Sequence, residues 1–171
     1  MTAETLTAVR AASTFPVFKP HGSGLLCAAY GTYEIAANVE AGDIFEMCRV
    51  PAGARVLGGY VYGDDLDTHA SETLDMDLGW AANGGSGTWD GVDTDGLGNF
   101  DVWVGDAFAV PNIGASAGNV LPISGVLADG DLPYFTKETV IQLYAVAPAA
   151  TFAAGAVSVV VFYVVDESLV A

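Results

Sequence analysis

From Thr73 to Trp80 the chain alternates almost without error. Leu74, Met76, Leu78 and Trp80 fall on one side, and Thr73, Asp75, Asp77 and Gly79 on the other. Successive side chains of a strand point to opposite faces, so this pattern describes a strand with one dry face and one wet one. Ahead of it stand the turn Pro51-Ala-Gly53, an apolar run over 54–63 and the acidic loop Asp64-Asp65-Leu66-Asp67. The stretch from Val50 to Trp80 therefore reads as a hairpin of a packed β-scaffold, with Asp64, Asp65 and Asp67 in its loop as either added ligands or simply a polar tip.

Further strands are predicted over 31–38, 42–50, 54–63, 72–80, 100–104, 106–110, 138–146 and 156–166. Turns fall at Glu40-Ala-Gly-Asp43, at Pro51-Ala-Gly53 and at Leu127-Ala-Asp-Gly-Asp131. The glycine-rich stretch 81–99 reads as a long loop, and 111–125 is broken by Pro111, Gly114, Gly118 and Pro122. Strands at this spacing imply an all-β chain, a β-sandwich or jelly roll. Residues 1–30 form an irregular N-terminal arm, because Pro16 and Pro20 exclude regular helix and central strand, and 31–171 form the sandwich domain.

Thr139 to Val165 carries no charge and is long enough to cross a bilayer. Pro148 and Gly155 interrupt it, however, and both halves are β-branched and aromatic. It reads as two buried strands joined by a hairpin-like connection, and no membrane partner is expected. Strands apolar on both faces fit central positions, or a face covered by another subunit, so a homo-oligomer is expected.

The chain holds 5 Lys plus Arg against 21 Asp plus Glu, a net charge of −16. Phosphate backbones need cationic partners, which argues against nucleic-acid binding and against anionic membranes. The acidity serves solubility or attracts a basic surface on a partner protein. The N-terminal residues lack a secretory pattern, so Cys27 and Cys48 are expected as free thiols of a protein made in a reducing cytoplasm.

Candidate chemistry is sparse. Asp93, Asp95, Asn99 and Asp101 supply the oxygen ligands a calcium ion prefers. Counted from Asp93, however, the twelfth position is Val104, where an EF-hand needs a bidentate Glu. A solvated glycine-rich turn explains the same residues, and no cofactor is the primary expectation. Asp75 and Asp77 share a strand face about 7 Å apart, but outward alternation predicts solvation rather than a raised pKa for acid–base work. His21 and His69 form no triad or zinc pattern, and no phosphate-binding glycine loop is present. No enzyme is expected. Phe15 and Phe18 mark the arm as a docking element. Trp80, Trp89 and Trp103 flank the long loop, where they would stack on sugars or plug the sandwich end or an interface.

The order of these elements resembles that of capsid decoration, or cement, proteins of tailed bacteriophages. An irregular arm leads to Cys48-Arg-Val-Pro-Ala-Gly53, an apolar strand from Val56 to Tyr62, an acidic loop and Leu74-Asp-Met-Asp-Leu-Gly79. Thr139-Val-Ile-Gln-Leu143 and Gly155-Ala-Val-Ser-Val-Val-Val-Phe-Tyr163 follow late in the chain. No functional residue transfers one by one. The resemblance implies a β-sandwich on the outer capsid surface of a virion, a trimer that clamps neighbouring copies of the major capsid protein. Phe15, Phe18, Trp89 and Trp103 are the expected interface residues. The alternative is a carbohydrate-binding β-sandwich, calcium-dependent through the 81–103 loop.

Overall fold

The computed structural model describes residues 4–14, 25–69, 71, 73–100, 119–122 and 132–166, with side chains excepted at 99–100 and 119–122. Nine strands are described: β1 Thr5–Thr7, β2 Cys27–Ile35, β3 Ile44–Val50, β4 Ala54–Gly63, β5 Asp75–Trp80, β6 Asp93–Phe100, β7 Asn119–Pro122, β8 Thr139–Ala147 and β9 Gly155–Val165. One 3-10 turn, Val9–Ala11, follows β1.

The strands form two sheets, ordered β1-β3-β8-β5-β6 and β2-β9-β4-β7. All neighbours pair antiparallel except β1, which runs parallel to β3. From β2 onward, consecutive strands fall in opposite sheets in pairs (β2 and β3, β4 and β5, β6 and β7, β8 and β9). That interleaving of eight strands is the jelly roll, and it confirms the fold class expected from the strand pattern.

The topology corrects two readings of the sequence. β4 and β5 are not a hairpin: β4 pairs β9 and β7, whereas β5 pairs β8 and β6. The uncharged stretch 139–165 does form two strands, but β8 and β9 lie in opposite sheets. Alternation reveals which face of a strand is dry; it carries no information about the strand's neighbour. Among the described residues no helix is long and apolar enough to cross a membrane.

The dry faces meet as predicted. Leu74, Met76, Leu78 and Trp80 are buried and pack with Phe45, Val50, Ile141 and Leu143 of their own sheet against Val56, Val61, Val157, Val159, Val161 and Tyr163 of the other. Cys48 joins this core, and burial pushes its thiol up to about 12. Cys27 and Cys48 are both free thiols.

The stretch 81–99 is not all loop, because β6 begins at Asp93 and pairs with β5 through a register shift between Leu78 and Trp80. The glycines that suggested a loop are tolerated here because bulges absorb extra residues at a sheet edge. Likewise β2 starts at Cys27, ahead of the strand expected at 31, and Thr5–Thr7 of the arm adds a strand to the sheet edge. Arg49 donates from Nε to the carbonyl of Ala11 at 2.7 Å, which ties the 3-10 turn to β3.

Candidate interaction face

The two outer faces of the sandwich differ in chemistry. On the five-stranded sheet, Glu46, Arg49, Asp75, Asp77, Gln142 and Tyr144 share the outward positions with Ile44, Val140 and Val146, so that face is mixed, and Asp77 and Gln142 are buried on it. The four-stranded sheet carries an aromatic band. Its register sets Tyr30 opposite Val160 and Val160 opposite Tyr60, so the three side chains form one row across β2, β9 and β4. Ala28, Phe162 and Gly58 form the row on one side of it, and Thr32, Ser158 and Tyr62 the row on the other.

The rings stand in contact. Tyr60 meets Phe162 edge to face with centroids 5.8 Å apart, and Tyr62 lies 6.1 Å from Tyr60. Tyr30 is 42% exposed, Tyr60 38% and Tyr62 37%, so each presents surface to a partner. The Arg10 guanidinium lies 4.1 Å from the centroid of Tyr30, a cation–π contact at the edge of the band.

This face ends in acids. The next row is Glu34, Ala156 and Asp64, where Asp64 accepts a hydrogen bond from the Ala156 amide at 2.8 Å. Asp65 follows, exposed, and a cleft of about 190 Å³ beside Glu34 is lined by Glu4, Leu6, Tyr33, Asp43 and Phe45. At the opposite end of the face stands Arg55, whose guanidinium lies over the Tyr134 ring at 5.2 Å.

Two buried aspartates hold the loops that frame the sandwich. Asp67 is fully buried and accepts hydrogen bonds from the backbone amides of His69, Thr73, Leu74, Ala150 and Thr151, at 2.8 to 3.3 Å. Burial alone would raise its carboxyl, but these donors win and hold it well below the ordinary carboxylate range. Asp67 is therefore not part of a polar tip: it is the clasp between loops 64–74 and 148–154.

At the other end Asp90 accepts from Asn83 Nδ2, the Gly87 amide, and the amide and hydroxyl of Thr136. Burial opposes ionisation there too, yet the hydrogen bonds lower the carboxyl to about 2. Neither clasp has a sequence signature beyond an Asp in a loop. Asp43 makes a smaller one, accepting from the amides of Glu4 and Glu40.

The residues singled out from sequence distribute unevenly. Trp89 is half-buried and packs edge to face on Trp80 at 6.0 Å; Trp80 in turn meets Phe135 at 5.3 Å, so these two tryptophans plug the Asp90 end of the sandwich. Phe15, Phe18, Asp101, Trp103 and His21 lie outside the described residues, as do the strand expected at 106–110 and most of that expected at 100–104.

Asp93 lies against Asp95, and burial, then that neighbouring acid, raise the Asp93 carboxyl above the usual carboxylate range. The register sets Asp93 opposite Trp80 and Asn99 opposite Asp77. Among the described residues no three His, Cys, Asp or Glu side chains group as metal ligands. Asp77 was expected to be solvated and is instead 7% exposed, because β5 is a central strand, flanked at this position by Tyr144 on β8 and by β6.

The fold defines the chain as a jelly-roll β-sandwich with an aromatic band on the outer face of its four-stranded sheet. No protein-family model matches it, and no curated protein matches it. Among solved structures, it is similar to a chain of the cyanophage Pam1 capsid asymmetric unit, with 25% identity and a TM-score of 0.60 over 91% of this chain and 96% of that one. A chain of the capsid of Ralstonia phage GP4 shares the fold, with a TM-score of 0.66 at 21% identity, over 95% and 98% of the two chains. The likeness to the cyanophage capsid chain supports a structural role in a virion.

Proposed function

We propose that this chain is a capsid decoration protein, which sits on the outer surface of a phage head and bridges neighbouring copies of the major capsid protein. The observation that carries this reading is the two-way coverage: the similarity spans nearly the whole of this chain and of a phage-capsid chain.

The mechanism is linkage. A protein that binds the assembled shell but not free subunits stabilises the shell by about 2.7 kcal/mol per site when its free concentration is a hundredfold above Kd. Bridging two subunits calls for an interface of about 1,600 Å² in total. A homotrimer suits such a role, since three copies supply three bridges through one footprint. Phe15 and Phe18 of the arm are proposed as anchors, together with Trp103 and the exposed edge of Trp89.

Co-sedimentation of the purified chain with undecorated heads tests this. Saturable binding, and a higher temperature of head disruption when the chain is bound, is the expected result. A chain that stays in the supernatant at all concentrations removes the reading. A Phe15→Ser/Phe18→Ser variant that binds as well as the parent removes the anchors alone.

A further inference from the structure

We infer that the outer face of the four-stranded sheet docks a basic protein surface, with lysine or arginine side chains laid against the Tyr30, Tyr60, Tyr62 and Phe162 band and drawn towards Glu34, Asp64 and Asp65 at its end. The inference rests on the capsid reading above and names the surface and partner chemistry it would use.

Three observations converge on a cationic partner. The band is aromatic, and aromatic ring faces attract guanidinium and ammonium groups. The chain already shows this chemistry at the edge of the band, where Arg10 lies 4.1 Å from the Tyr30 centroid. The charged side chains on this face are also segregated: within β2, β4 and β9 the outward positions carry Glu34 at one end and Arg55 at the other. Asp64 and Asp65 extend the acidic end beyond β4, and the cleft lined by Glu4 and Asp43 continues it around the sheet edge.

A second copy of this chain is the weaker occupant. It would bring 21 acidic residues and only 5 Lys plus Arg against the same number, −16 facing −16. A basic surface gains from that field instead, most strongly in association rate and in salt dependence. Tyrosine and arginine are also among the residues enriched at interface hot spots.

The test measures binding to undecorated heads at low and raised salt for four proteins: the parent, Tyr60→Thr/Tyr62→Thr, Tyr60→Phe, and Glu34→Gln/Asp65→Asn. Threonine keeps strand propensity at these exposed positions, and circular dichroism verifies the fold. The parent is expected to bind more weakly as salt rises. Tyr60→Thr/Tyr62→Thr is expected to lose about tenfold or more in affinity, while Tyr60→Phe, which keeps the ring, stays close to the parent. Glu34→Gln/Asp65→Asn is expected to flatten the salt dependence.

Parent-level affinity of a folded Tyr60→Thr/Tyr62→Thr variant overturns the inference and leaves the capsid reading standing. So does an unchanged salt dependence in Glu34→Gln/Asp65→Asn. Failure of the parent itself to bind removes the capsid reading and this inference together. Native mass measurement covers the remaining outcome: if the parent self-associates and Tyr60→Thr/Tyr62→Thr does not, the occupant is a second copy and the inference is wrong.

Discussion

Gly31 on β2 faces the backbone carbonyl of Met47 on β3, and a β-carbon at Gly31 would stand 1.9 Å from that oxygen. The two strands belong to opposite sheets, so this contact is where one long edge of the sandwich closes. Gly31→Ala is expected to destabilise the fold by about 3 kcal/mol, since the obstacle is backbone and cannot rotate away. Chemical denaturation of the variant checks this; a midpoint equal to the parent's would show that the edge is looser than its geometry implies.

Asp67 gives the fold an acid-sensitive clasp. Its folded pKa is depressed below the unfolded value of about 3.9. Its contribution is therefore fully present above that value and is lost as pH falls towards the folded pKa. Asp67→Asn turns an acceptor of five backbone donors into a group that itself carries two donors, and is expected to cost about 3 kcal/mol at neutral pH. Stability measured from pH 7 down to pH 2 should fall less steeply in the variant than in the parent.

Thr136→Val removes the hydroxyl that donates to Asp90 while keeping the shape. The Asp90 carboxyl, held at about 2 in the parent, is expected to rise, and stability at neutral pH to drop by about 1–2 kcal/mol. The sign is the same as for Asp67: the stabilisation exists above about pH 4 and is lost as pH falls through about 2. Carbon-detected NMR titration of the Asp90 carboxyl reads the shift directly.

Calcium is expected to leave the chain unchanged. Among the described residues no three His, Cys, Asp or Glu side chains group as metal ligands, and the register sets Asp93 opposite Trp80 but Asn99 opposite Asp77. Titration with calcium while following tryptophan fluorescence checks this, because Trp80 and Trp89 pack beside the start of β6. A saturable change would restore the calcium-dependent carbohydrate-binding alternative and send attention to Asp101 and Trp103.

The sequence was informative about faces and poor about neighbours. The alternation of Leu74, Met76, Leu78 and Trp80 identified a buried strand face correctly, and the apolar content of 139–165 identified two buried strands. Neither pattern could reveal that β4 and β5, or β8 and β9, part company into opposite sheets, since pairing depends on partners distant in the chain. β6 was missed because its glycines and aspartates have low strand propensity; it is held by pairing with β5 rather than by its own preference. Asp67 and Asp90 were legible only as acids in loops, because their role comes from amides supplied by segments brought close by the fold. The tyrosine band was equally hidden: Tyr30, Tyr60 and Phe162 are far apart in sequence and meet only through the β2-β9-β4 register.

The most direct measurement of the central claim is an electron cryomicroscopy map of undecorated heads incubated with the purified chain, at a resolution that separates strands. The account predicts added jelly-roll density on the outer surface of the shell, each copy touching more than one capsid subunit. Heads with no added density, or density confined to a single subunit, would contradict it.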